Sequence, residues 1–183
     1  MNEEKEIKPT KQDVKTTKQE VKDDKEKTLY LERLDAIVRH IQNVQSNALL
    51  LAQRLIEQDG ECELARQLVA NSLGHDASKL FGIEWDYLLS DDKDKLKMAI
   101  EQHNKTNTHH PEHWGGIKEM PRVYLAEMIC DIKARSSEFG TDVKDWLKDE
   151  ATKRYEFTTG SKVYKDLHYF LNLLLERKFS KKL

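Results

Sequence analysis

From Leu29 to Gln58 apolar side chains recur at the three- and four-residue spacing of one helix face: Leu31, Leu34, Ile37, Val38, Ile41, Val44, Ala48, Leu49, Ala52, Leu55 and Ile56. A stripe of that length needs other elements to cover it. No alternating apolar–polar run elsewhere makes a convincing strand, so the covering elements are predicted to be helices. Asp59-Gly60 ends the first helix. A second is expected from about Glu61 to Leu73, with Leu64, Ala65, Leu68, Val69 and Leu73 on its apolar face and Gly74 breaking it. Ser90 reads as an N-cap, with Asp91 and Asp92 in the first turn of a helix through Leu96, Ala99, Ile100 and His103. Residues 105–120 read as a loop rich in His, Asn, Pro and Gly. Pro121 suits the first position of the next helix, which carries Val123, Leu125, Met128, Ile129 and Ile132 and is closed by Gly140. Two more helices, at 143–157 and 161–179, complete an all-α bundle of about six.

The first 28 residues differ in kind. They hold eight lysines and eight acidic residues, and after Met1 only Ile7, Val14 and Val21 as aliphatic side chains. That is too little apolar surface to offset the entropy of ordering, so residues 1–28 are expected to be a disordered, solvated tail and 29–183 the folded domain. A faint seven-residue echo (Thr10 to Lys15 against Thr17 to Lys22) lacks the second apolar position a coiled coil needs. With 31 basic and 33 acidic residues, the chain has no broad basic field for nucleic acid. Cys62 and Cys130 lie far apart inside apolar helical patterns and read as buried thiols in a reducing compartment. No apolar run is long enough for a bilayer and no signal segment is visible, so a cytoplasmic protein is expected. The oligomeric state is left open.

Chemistry is concentrated in the histidines. His75-Asp76 falls at a predicted helix break, followed three residues later by Lys79. His103, His109, His110 and His113 crowd into eleven residues; His40 lies upstream and Asp131 on a later apolar helix. Divalent transition metals are held by neutral imidazoles and carboxylates, and helical bundles build such sites from inward-facing side chains. His40, His75, Asp76 and Asp131 can form one such set. His103 with His109 and His110 can supply a second ion, with Asp76 bridging. Read singly, His40 is equally a core histidine, Lys79 a solvated lysine and His113 a loop cap. Asp131 would be costly to bury on an apolar helix without a partner. Glu127, one turn before it, can support a ligand histidine. Asn107, four residues after His103, is a candidate for contact with substrate, as is His113.

The order His40…His75-Asp76…His103…His109-His110…Asp131 resembles the HD superfamily of metal-dependent phosphohydrolases, and His75-Asp76-Ala77-Ser78-Lys79 looks like its HD-x-x-K element. His103 with His109-His110 is similar to the extra histidines of two-metal members, although the Gly-Tyr-Pro signature of the cyclic-di-GMP enzymes is missing. The stretch from His103 to Trp114, with Glu127-Met128, also resembles an uncharacterised group of small phage and bacterial HD-like proteins. The resemblance covers most of residues 30–135. It implies an HD-like helical domain holding one or two divalent ions (Mn, Fe, Co, Ni, Zn or Mg). It further implies hydrolysis of a small-molecule phosphoester, a nucleotide or cyclic nucleotide, with Asp76 and Lys79 in catalysis and Lys79 on the phosphate. Two alternatives fit the same ligands: an HD-like di-iron oxygenase, and a non-catalytic metal-binding interaction module.

Overall fold

A computed structural model describes the backbone of residues 11–176 and the side chains of 22–176. Helices α1 to α8 span Lys11–Asp59, Cys62–Ser72, Gly82–Tyr87, Lys93–Thr106, Arg122–Phe139, Val143–Asp145, Thr152–Arg154 and Lys162–Leu175. Single 3₁₀ turns occupy Ala77–Leu80 and Pro111–Trp114, and a π-helical stretch, Trp146–Ala151, joins α6 to α7. Among the described residues there is no strand, and no helix is long and apolar enough to cross a membrane. The all-α expectation holds.

The chain divides into two compact units, 1–36 and 37–183. In the first, residues 11–36 are helical, so α1 starts well before Leu29. Lysine, glutamate and glutamine are good helix formers, and no Gly or Pro interrupts residues 11–59. Exposed pairs such as Lys22–Glu26 at 3.8 Å add about 0.2–0.5 kcal/mol each. Every described side chain from 22 to 36 except half-buried Arg33 is exposed, so this segment is solvated as its composition implies. The part of the tail at 1–10 lies outside the described residues, as do 177–179 of the last expected helix.

In the second unit Val44, Ala48, Leu51, Ala52 and Leu55 of α1 are buried with Leu125, Ala126, Met128, Ile129 and Cys130 of α5 and Leu167, Phe170, Leu171 and Leu174 of α8. The Asn47 side-chain amide donates to the Cys130 carbonyl at 3.0 Å, fixing α1 against the middle of α5, and α5 also packs on α2 and α8. Other apolar positions of the predicted α1 face, among them Leu31, Leu34, Val38, Leu49 and Ile56, are exposed, as is Leu73 after α2. Cys62 is exposed too, contrary to expectation, because it opens α2 on the solvent side; Cys130 is buried.

Local chemistry moves several boundaries. Asp92, not Ser90, caps α4: its carboxylate accepts from the amides of Asp94 and Lys95, and the Ser90 hydroxyl accepts from Asp92. Pro121 is the N-cap of α5, extended at φ −62° and ψ 149°, and Arg122 begins the helix. Gly140 ends α5 in the left-handed region at φ 67°. The six-residue α3 is too short to leave a periodic signal in the sequence.

Candidate metal centre

α1, α2, α4 and α5 bring one residue set into a single buried centre. His40 comes from α1, Asp131 from α5 and His103 from the last turn of α4. His75 and Asp76 leave the turn after α2. Gly74 is not what shapes that turn, since a Cβ there would meet only the Asn71 carbonyl at an ordinary 3.8 Å. The special residue is Asp76, which takes a left-handed conformation at φ 55°. Such backbone is unusual for a residue with a side chain and is concentrated at functional sites. It turns a fully buried carboxylate into the centre and opens the 3₁₀ turn that carries Lys79.

The two carboxylate oxygens of Asp76 face different partners. Oδ2 lies 3.4 Å from His40 Nε2 and 3.7 Å from His75 Nε2. Oδ1 lies 3.2 Å from His103 Nε2 and 3.5 Å from His109 Nε2. Asp131 Oδ1 completes the first side at 3.1 Å from His40 Nε2 and 3.9 Å from His75 Nε2. The His110 ring stands 4.7 Å from that of His103 and 4.3 Å from that of His109. Both adjacent histidines therefore join the second side. The 3₁₀ pairing of i with i+3 brings the Lys79 ammonium onto Asp76 Oδ2.

These atoms are near one another but not aligned as hydrogen bonds. His40 Nε2, His75 Nε2, His109 Nε2, His110 Nε2, Asp76 Oδ1 and Asp131 Oδ1 are all buried with no hydrogen-bond partner among the described residues. An orphaned buried polar atom costs about 1–3 kcal/mol, and native proteins keep few of them. Six orphans sharing one centre, all of them imidazole nitrogens or carboxylate oxygens, fit a cation. The donors of His40, His75 and Asp76 lie within 4.8 Å of one another, and so do those of His103, His109 and His110; each group could hold a metal ion.

The opposite nitrogens of the rings are anchored by carboxylates. His40 Nδ1 donates to Glu138 at 3.0 Å, His75 Nδ1 to Glu127 at 3.1 Å, and His103 Nδ1 to Glu84 at 2.7 Å. A neutral ring with its proton held on Nδ1 turns the Nε2 lone pair into the centre, which is the form in which a histidine binds metal; without metal, His40 is protonated instead, as its raised pKa of about 9 requires. His75, His109 and Glu127 also group within ligand range, but Glu127 meets the Nδ1 atoms of both rings, so it braces imidazoles instead of making a third site. Glu127 has the supporting place its position before Asp131 suggested. Glu84 and Glu138 had no sequence signal, being two carboxylates among 33 acidic residues.

Burial lowers the His109 pKa to about 2 and that of His110 to about 4, with neighbouring imidazoles reinforcing the effect, so both rings are neutral. His103 is also lowered, chiefly by burial. Burial acts the same way on His40, but the carboxylates of Asp131 and Asp76 outweigh it and raise the ring to about 9. Asp76 and Asp131 are held well below the usual carboxylate range despite burial, chiefly by the His40 imidazole beside them, with His75 adding to the effect.

The remaining candidates lie around this centre. The Asn107 amide is committed to the Ser78 hydroxyl at 3.0 Å and the His103 carbonyl at 3.0 Å, which makes it a brace of the α4 terminus. His113 is exposed, bonds the Lys105 carbonyl at 2.8 Å and packs on Trp114; it is not among the converging side chains. Trp114 packs on Tyr124 and donates to the Thr108 carbonyl at 2.8 Å, bracing the loop that carries His109 and His110. His168 stacks on Tyr164 and meets the Asn172 amide at 3.1 Å, and it is not among the converging side chains.

Residues 29–177 match a family of unknown function, DUF5662, and the chain belongs to that family. No curated protein and no solved structure matches it.

Proposed function

We propose that this DUF5662 member is a metal-dependent phosphohydrolase that holds two divalent ions and cleaves a small phosphoester, of the nucleotide or cyclic-nucleotide class its HD resemblance implies. The observation that carries the reading is the two-faced placement of Asp76, with Oδ2 toward His40 and His75 and Oδ1 toward His103 and His109. A carboxylate so placed can bridge two ions. His40, His75 and Asp131 would complete one coordination set, and His103, His109 and His110 the other. Ions held this way supply Lewis-acid charge and lower the pKa of a bound water, which is the chemistry phosphoester hydrolysis needs.

The chain's own groups then have definite parts. Glu84, Glu127 and Glu138 fix the tautomers and orientations of the ligating rings. Lys79, next to Asp76, offers a cation to a non-bridging phosphate oxygen as charge develops. In the reaction the water oxygen bonds to phosphorus, the ester P–O bond breaks, and the leaving oxygen takes up a proton.

The test is metal content per chain by inductively coupled plasma mass spectrometry, for the wild type and Asp76→Asn, followed by turnover of p-nitrophenyl phosphate and bis(p-nitrophenyl) phosphate. Asn tolerates the left-handed backbone while removing the bridging charge. The expected result is two ions and hydrolysis in the wild type, with both lost in the variant. Two bound ions with no phosphoester turnover under any of Mn, Fe, Co, Ni, Zn or Mg overturns the hydrolase reading. Oxygen consumption by the iron form would then point to the oxygenase.

A further inference from the structure

Beyond α5 the chain returns toward the centre through residues none of the ligand arguments used. Trp146–Ala151 is π-helical and leads into Thr152–Arg154. π-turns are rare and occur disproportionately at functional sites. Two residues later Glu156 is left-handed at φ 50°; apart from Asp76 it is the only non-glycine with positive φ among the described residues. The turn is held by the Phe157 amide donating to the Thr152 carbonyl at 3.3 Å and by burial of the Phe157 ring. Four residues lie between these features, Thr152 to Tyr155, and the last two are an arginine, Arg154, and a tyrosine, Tyr155.

Arg154 reaches the ligand loop, and the Tyr155 ring lies beside its guanidinium. Arg154 Nη2 lies 3.4 Å from Glu112 Oε1, two residues after His110, and its guanidinium sits 5.0 Å from the centroid of the Tyr155 ring. Tyr155 is half-buried, and its hydroxyl has no hydrogen-bond partner among the described residues. Burial, and beyond it the charges of Glu112 and Asp131 against the opposing Arg154, raises this phenol to about 12. It stays protonated in neutral solution and is a hydrogen-bond donor, not a base.

We propose that Arg154 and Tyr155 are the substrate-reading wall of the centre, selecting a phosphoester that carries a second anionic group, such as a further phosphate. The proposal rests on the hydrolase reading above. Lys79 is occupied by Asp76 inside the centre, where it can serve only the reacting phosphate. Arg154 stands outside it on a long, exposed pair with Glu112, which a phosphate can displace because guanidinium binds phosphate oxygens bidentately. The Tyr155 hydroxyl, on the ring beside that guanidinium, would donate to the same anionic group.

The experiment is calorimetric binding of orthophosphate and pyrophosphate to the manganese-loaded full chain, with metal content measured before and after. Arg154→Met is expected to weaken pyrophosphate about tenfold while leaving orthophosphate nearly unchanged, as for loss of one charged hydrogen-bonded contact. Tyr155→Phe should weaken pyrophosphate as well, and by less. Glu112→Gln, which releases Arg154 from its partner, should tighten pyrophosphate and so controls for mere damage to the fold. An unchanged preference between the anions in Arg154→Met, with metal fully bound, overturns this proposal and leaves the hydrolase reading standing. A wild-type chain that binds no metal overturns both.

Discussion

Glu84→Gln should weaken one ion and spare the other. Glu84 is 3 % exposed, and its Oε2 accepts from His103 Nδ1 at 2.7 Å and from the Ser78 hydroxyl at 2.9 Å. Glutamine keeps the volume and one acceptor oxygen but removes the charge. Hydrogen bonds to charged groups contribute about 1.5–3 kcal/mol and neutral ones about 0.5–1.5 kcal/mol, so the loss is about 1–1.5 kcal/mol. That corresponds to roughly tenfold in affinity. Glu84→Ala, which removes the support outright, should approach the hundredfold end of the range seen for such outer partners. The effect should be confined to the ion held by His103, His109 and His110, because His40 and His75 are anchored separately on Glu138 and Glu127. A competition titration against a graded chelator, read as metal per chain, resolves the two steps. Equal weakening of both steps, or of neither, would refute the assignment of Glu84 to His103 alone.

Three further outcomes follow from the same geometry. Protein freed of metal by chelation should melt highest near pH 6.5: His40, raised from 6.5 to about 9, gives stability below 6.5 that is lost as pH rises through 9. In the other direction, His109 and His110, lowered to about 2 and about 4, bind protons more readily unfolded, so stability also falls as pH drops below 6.5. Thermal melts from pH 4 to 10 read this, and a monotonic profile would contradict it. Native protein should take up one thiol label, at exposed Cys62, and a second only on unfolding, because burial and the nearby Glu127 and Asp131 push the Cys130 thiol far up. Intact-mass counting after iodoacetamide treatment decides. Deleting residues 1–28 should leave metal content unchanged and lower Tm by no more than a few degrees, since the described side chains at 22–28 are all exposed; a large loss would make that segment part of the fold.

What could be read from the sequence follows from which features have a signature. Histidine is scarce here, so His40, His75, His103, His109 and His110, together with Asp76 and Asp131, stood out by type and helical placement, and the structure brings all seven together. Glu127 was legible because it sits one turn before Asp131. Glu84 was not, since it lies on a helix of six residues and its role depends on a fold bringing it to His103. Glu138 was hidden in the same way, reaching His40 from 98 residues away. Arg154 and Tyr155 become informative only through backbone irregularities that no local pattern announces. The start of α1 was missed for a different reason. A helix already formed can extend through Lys- and Glu-rich residues without burying anything, and a search for apolar faces does not register that.

Asp76 answers to two demands that favour different replacements. The proposed bridging role asks for a carboxylate, and Glu is the nearest substitute. The Asp76 backbone, at φ 55°, asks for Asn or Gly. No other amino acid meets both. Every exchange that is gentle on the turn removes the bridging charge, and the one that keeps the charge moves it by a methylene on an unfavourable backbone. The position therefore has no neutral neighbours through which the site could drift toward another ligand set. A lineage that gave up this chemistry would be expected to lose aspartate here first and to relax the turn afterwards.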